Sequence, residues 1–82
     1  MGLFPKEQPF PKWIAFGAGD KYDTAQRINL GPGDGVAVRF HGRVVPMDLM
    51  RIEPEAVLVQ DPDQSSYFHD WDDVMGYWKR IK

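Results

Sequence analysis

Residues 31–46 read GPGDGVAVRFHGRVVP, and the fold predicted for the whole chain is built outward from this stretch. Its first part, residues 31–35, contains three glycines and a proline and forms a turn that neither a helix nor a strand tolerates. Residues 36–40 then alternate between apolar side chains and small or charged ones, which is the pattern of a half-buried strand. The pair His41–Gly42 reverses the chain, and a second strand begins near Val44. The stretch therefore predicts a β-hairpin.

Three more segments are predicted to extend this hairpin into a sheet. Residues 13–16 form a short apolar run before a glycine-rich turn, and they are interpreted as the first strand. The return strand is expected to continue through residues 47–52, lying at an edge or bending at Pro46, because proline has no N–H to donate. After a turn at Glu53–Glu55, residues 56–60 are apolar enough to form a central strand.

Residues 21–30 allow two interpretations. The tetrapeptide at 23–26 fits a capping box, and Gly31 would then end a helix of two turns. Residues 27–30 instead place apolar side chains at every second position, as a strand entering a hairpin does. A strand over 27–30 is the favoured prediction.

The last third of the chain changes its hydrophobic period. Apolar side chains recur there at spacings of four, three, four and three residues, which predicts one face of a helix; they are Tyr67, Trp71, Val74, Trp78 and Ile81. Carboxylates lie early in this segment and basic side chains late, the order that a helix dipole favours. Of two candidate starts, near Pro62 and near Asp70, the later is favoured, with residues 67–68 in a preceding strand or loop.

These elements together predict an α+β fold, a small antiparallel sheet of four to five strands with a C-terminal amphipathic helix packed over it. The run Leu30–Val38 is similar to the strand openings of SH3-like barrels, and one form of the predicted sheet is such a barrel. The resemblance covers nine residues and identifies no family. Residues 1–12 contain three prolines and are predicted to form an extended arm, with a single globular domain over 13–82.

Composition and charge narrow the classes of function. The chain has 82 residues, no cysteine and a formal net charge of −2, and it has no apolar run long enough to span a bilayer. Its N-terminus lacks the features of a secretory signal, so a cytoplasmic protein without a membrane partner is expected. Residues 52–78 contain seven carboxylates and no lysine or arginine. This stretch would repel phosphate, and direct binding of nucleic acid is therefore not expected.

No pattern in the sequence predicts catalysis or a cofactor. The segments at 17–20 and 31–34 read Gly-x-Gly-Asp but lack the residues that complete a phosphate-binding loop, so both are interpreted as turns. His69 would share a helical face with Asp72 and Asp73, but a tight metal site requires three or four ligands, ideally with a second histidine nearby. We therefore expect a protein that is not an enzyme, with no catalytic residue, metal or cofactor.

The acidic and aromatic stretch at 67–78 is the predicted binding region. A helix there would be apolar around more than half of its circumference, and exposed aromatic side chains among carboxylates are typical of protein-binding surfaces. The expected partner is another protein with a basic surface. The residues assigned to partner binding are Phe68, Asp70, Trp71, Asp72, Asp73, Met75 and Tyr77.

Two functions are consistent with such a surface. The favoured one is a small non-enzymatic protein-binding module, in its sharper form an acidic inhibitor that occupies the cationic groove of a nucleic-acid-handling protein. The alternative is a structural subunit of a homo- or hetero-oligomer, whose surplus aromatic side chains are buried in an interface.

Overall fold

The computed structural model describes residues 12–60 and 65–80, which form a six-stranded antiparallel sheet with one short α-helix. In chain order the elements are β1 (Ile14–Ala15), α1 (Lys21–Arg27), β2 (Gly35–Phe40), β3 (Arg43–Ile52), β4 (Ala56–Gln60), β5 (Ser66–Asp70), a 3-10 helix (Trp71–Asp73) and β6 (Val74–Trp78). The strand order across the sheet is β1-β6-β2-β3-β4-β5. Within the described residues, β1 and β5 are therefore the two edge strands.

One face of the sheet carries the hydrophobic core, to which α1 contributes a fully buried alanine. The buried cluster consists of Ala25, Leu30, Val36, Val38, Met47, Leu49, Val57, Val59, Trp71 and Val74. At its rim, Phe40 of β2 meets the ring of His69 of β5 edge to face, with ring centroids 5.5 Å apart. Since β3 and β4 lie between these two strands, the sheet must curl around its core.

The hairpin predicted from residues 31–46 is confirmed. Val36 and Val38 are fully buried on β2, which pairs with β3 along its whole length. The reversal uses positive φ at His41 (53°) and Gly42 (75°), as in a two-residue type I′ turn whose twist matches the paired strands. β4 lies in the central position predicted for it, between β3 and β5.

The strand predicted over residues 27–30 is wrong, because this region belongs to α1 and the turn that follows it. The Asp20 carboxylate caps α1 by accepting hydrogen bonds from two backbone amides of the first turn, at 2.9 and 3.3 Å. Such a cap satisfies N–H groups that a helix start leaves without partners. Asn29 then adopts a left-handed backbone, with φ of 58°, just after the helix ends.

The predicted C-terminal amphipathic helix is also wrong, and with it the predicted α+β fold class of a four-to-five-stranded sheet under such a helix. Residues 66–78 instead form β5, the 3-10 helix and β6. Aromatic and β-branched side chains favour strands, and Gly76 weakens a helix at this position. β6 pairs with both β1 and β2, and these tertiary hydrogen bonds outweigh the helical period of the sequence.

β6 is apolar on both faces, which accounts for the surplus of aromatic side chains in this region. One face contributes to the core. On the other, the ring of Trp13 lies directly over Gly76, and the ring of Trp78 lies over Gly35 on β2. A Cβ at either glycine would overlap an indole ring, so each ring can lie against the backbone only because that position is glycine.

The extended arm predicted over residues 1–12 lies outside the described residues except for Lys12, and it stays a prediction. The domain boundary at residue 13 is likewise not tested. In the part of the chain that the structure describes, no helix is long and apolar enough to cross a membrane.

Asp34 joins three distant parts of the chain. Its side chain, 10% exposed, accepts hydrogen bonds from the Gly31 amide at 3.1 Å, the Arg80 amide at 3.1 Å and Lys79 Nζ at 2.9 Å. Lys79 Nζ also donates to the Asn29 carbonyl at 2.7 Å. The carboxylate thereby fixes the glycine-rich turn, the exit of α1 and the segment after β6 against one another.

Substituting Gly76 by alanine distinguishes the strand from the predicted helix by the sign of its effect on stability. In an exposed helix this change would stabilise the protein by about 1 kcal/mol. On β6 the new methyl group meets the Trp13 ring, and such overpacking costs about 1–3 kcal/mol in free energy of unfolding, measured by urea denaturation. Gly17→Ala is the matched control: nothing lies within 4 Å of its Cβ position, and a neutral or stabilising effect is expected. Stabilisation by Gly76→Ala would contradict the strand.

Asp34→Asn is expected to lower stability in a pH-dependent way. Burial raises the pKa of Asp34, but hydrogen bonds from Lys79, Gly31 and Arg80, with the Lys79 charge, bring the pKa below its usual value of 3.8. A depressed pKa in the folded state contributes stability above the unfolded pKa, and this contribution is lost as the pH falls through the folded value. Urea denaturation should therefore show a loss of about 2 kcal/mol at pH 7 and a smaller loss at pH 3.

The control for this prediction is Asp23→Asn, which removes an exposed ion pair with Arg27. It should change stability by less than about 0.5 kcal/mol at pH 7. Equal losses for Asp34→Asn at pH 7 and pH 3 would show that the carboxylate charge does not stabilise the fold.

Candidate functional site

A cleft of about 430 Å³ opens where α1 begins, β3 turns into β4 and β5 runs into the 3-10 helix. It is large enough for one or two amino-acid side chains and lies open to solvent. Its lining residues are Gly19, Asp20, Lys21, Pro54, Glu55, Asp70, Trp71 and Asp72.

Trp71 holds the inner wall of this cleft in place. Its side chain is buried, and Nε1 donates a hydrogen bond to the Glu53 carbonyl at 2.7 Å. Its ring packs edge to face against Phe16 and Tyr22, at centroid distances of 6.0 and 6.2 Å. These contacts fix the indole between the β3–β4 turn and α1, so the inner side of the cleft is held rigidly.

Lys21 links α1 to the opposite wall. Its Nζ donates hydrogen bonds to the Trp71 carbonyl at 3.1 Å and the Val74 carbonyl at 2.8 Å, the two ends of the 3-10 segment. These carbonyls are satisfied by an ammonium from another element, which holds the short helix in its position. The Lys21 charge is thus directed at backbone oxygens, and it forms no ion pair within the described residues.

The carboxylates of the described ranges divide into two groups. Five form ion pairs with lysine or arginine: Asp23, Asp34, Asp48, Glu53 and Asp73. The other four form none within residues 12–60 and 65–80, and all four line the cleft: Asp20, Glu55, Asp70 and Asp72. Among the described residues, the carboxylates without an ion pair are therefore gathered at one place.

The structure brings together three of the seven residues predicted to bind a partner. Asp70 and Asp72 are exposed on the rim of the cleft, and Trp71 forms its wall with a side chain that is only 8% exposed. The Asp70 side chain makes no capping hydrogen bond to the 3-10 helix, so its carboxylate is available to a ligand.

The other four predicted residues lie outside the cleft. Asp73 is 3.7 Å from Arg39 in an ion pair. Met75 is half-buried on β6. Tyr77 packs against the core, and the centroid of its ring lies 5.0 Å from that of Phe16. Phe68 is 55% exposed on β5. The role of the seven residues in binding a partner stays a prediction.

Asp20 and Glu55 complete the cleft and were missed by the sequence prediction. Asp20 caps α1, and Glu55 follows Pro54 in the β3–β4 turn. Each residue therefore has a local structural role that explains it without a binding site. They line the same cleft as Asp70 only because β4 pairs with β5 and α1 packs over the 3-10 helix. No spacing in the sequence carries that information.

His69, Asp72 and Asp73 do not share a helical face, because His69 lies on β5 and the two aspartates lie in the 3-10 helix. Within residues 12–60 and 65–80, no three histidine or carboxylate side chains are grouped to hold a metal ion. The Nε2 atom of His69 is buried, and it has no hydrogen-bond partner among the described residues. The His69 ring instead packs against Phe40 and Tyr67.

Comparison with known proteins yields no match to a family model, to a curated protein or to a solved structure. The function of the chain is therefore inferred from the geometry and charge of the cleft. The four carboxylates and the adjoining edge strand are the features that carry this inference.

Proposed function

We propose that the protein is a non-enzymatic binding module whose acidic cleft holds a basic segment of a partner protein. The observation that carries the proposal is the segregation of charge. Every carboxylate without an ion pair in the described ranges lines one cleft, while those elsewhere are paired. Lysine and arginine side chains are the protein groups that complement such a site.

The cleft is suited to a cation because its carboxylates outnumber its ammonium group. Lys21 Nζ is held by two backbone carbonyls and offsets one negative charge, while four exposed carboxylates line the same cleft. Each exposed pair with an incoming lysine or arginine contributes about 0.2–1 kcal/mol. Several such pairs together would speed association with a basic partner and make affinity fall with salt.

A protein partner fits this surface better than nucleic acid does. Carboxylates repel phosphate, whereas Tyr67 and Phe68 on the adjoining β5 are 47% and 55% exposed. Aromatic side chains are enriched in protein interfaces, where they supply the apolar contact that charge alone does not provide. The site thus combines a charged cleft with aromatic groups beside it.

The finer predictions from the sequence stay predictions. The cleft would accept basic segments of many proteins, so inhibition of a nucleic-acid-handling protein is one specific form of the proposed binding. A cytoplasmic location and the role of a structural subunit are likewise not tested.

Affinity for a basic probe tests the proposed function. The probe is a labelled octapeptide of alternating lysine and threonine with blocked termini, and its Kd is measured by fluorescence anisotropy at low salt. Asp70→Asn/Asp72→Asn removes two charges from the cleft. It should raise the Kd about tenfold, because each lost ion pair weakens the binding free energy by about 0.7 kcal/mol.

The matched control is Asp23→Asn/Asp48→Asn, which removes the same number of charges from ion-paired positions outside the cleft. It should change the Kd less than about twofold, since it alters only net charge and long-range attraction. An equal effect of the two double variants would show that binding follows net charge and not the cleft. A peptide of alternating glutamate and threonine should not bind.

A further inference from the structure

β5 offers a row of backbone groups that no strand of the described chain uses. It pairs with β4 on one side, and the strand order ends there. In an antiparallel sheet, alternate residues direct their N–H and C=O groups to opposite neighbours, so part of the backbone of Ser66–Asp70 points away from β4. Such an edge is a template for another extended chain.

Three of the usual protections of an edge strand are missing from β5. It contains no lysine, proline or register shift, and three of its first four side chains are exposed. Tyr67 and Phe68 project to opposite faces, because successive side chains alternate along a strand. A strand added along β5 would therefore find an exposed aromatic ring on each face.

The edge and the acidic cleft are continuous. Asp70 is both the last residue of β5 and part of the cleft lining, and Asp72 follows it in the 3-10 helix. A five-residue strand is about 17 Å long, so a peptide paired with β5 would bring its end directly to these carboxylates. Backbone geometry selects an extended segment, and charge selects a basic one.

We propose that the partner's basic segment binds by adding as an extended strand to the outer edge of β5, with a lysine or arginine at its end reaching the cleft beside Asp70 and Asp72. This inference rests on the proposed function and specifies its mode. Backbone hydrogen bonds to β5 supply affinity that does not depend on sequence, and the cleft supplies selectivity for basic residues.

Backbone methylation of the probe tests this mode without altering the protein. Two versions of the lysine–threonine octapeptide are N-methylated, one at every lysine and the other at every threonine, and both keep the full charge of the parent. If the peptide pairs with β5, the version methylated on the paired side should bind at least about tenfold more weakly than the other. If both methylated versions bind the protein as tightly as the parent peptide does, the proposal is wrong.

Amide hydrogen exchange supplies the second readout. Saturating parent peptide should slow exchange at amides within Ser66–Asp70 by at least about tenfold, because an added strand protects the outward N–H groups. If signals of Glu55 and Asp72 shift while exchange on β5 is unchanged, strand addition is wrong and the proposed function stands. If the parent peptide does not bind, both are wrong.

A second copy of the chain is the competing occupant of this edge. Sedimentation of the protein without peptide is expected to show a monomer, with exchange on β5 independent of protein concentration. A dimer whose formation protects Ser66–Asp70 would overturn the proposal, since the edge would then be filled by the chain itself.

Discussion

The carboxylate of Asp34 is the contact on which the closure of the fold depends. A small domain buries few side chains, and here an ionised one is only 10% exposed and surrounded by donors from the glycine-rich turn and the segment after β6. Leaving any of these groups without a partner costs more than the bonds themselves contribute. The interaction therefore anchors the chain just after β6 to the turn before β2, and together with the pairing of β6 and β2 it sets the path of the preceding chain.

That path creates the cleft. β5 is at one edge of the sheet and β6 is placed between β1 and β2, so the chain must cross from one side to the other within three residues. The 3-10 helix makes this crossing, with the buried Trp71 ring below it and Lys21 Nζ on its carbonyls. Asp70 precedes the crossing and Asp72 lies within it; both are exposed and line the cleft with Glu55 of the neighbouring turn. The segment that joins β5 to β6 thus serves both the closure of the fold and the proposed binding of a basic partner.

Local signals in the sequence predicted local structure. The hairpin at 31–46 was predictable because its turn and its alternation lie within sixteen residues. The C-terminal helix was predicted wrongly because two short strands joined by a 3-10 helix reproduce a helical spacing from Tyr67 to Trp78. Only the pairing partners of β6, which are distant in sequence, distinguish the two. Asp34 was interpreted as a turn residue, since its partners Lys79 and Arg80 are some 45 residues away.

The candidate site was predicted in part for the same reason. Asp70 and Asp72 belong to an acidic stretch visible in the sequence, whereas Asp20 joins them only in the folded chain. The central claim is that these carboxylates, gathered by the fold, receive basic groups as one site. Carbon-13 NMR of the side-chain carboxyl groups during titration with the lysine–threonine octapeptide tests it most directly. We predict shifts concentrated at Asp20, Glu55, Asp70 and Asp72; shifts spread evenly over all carboxylates, ion-paired ones included, would contradict it.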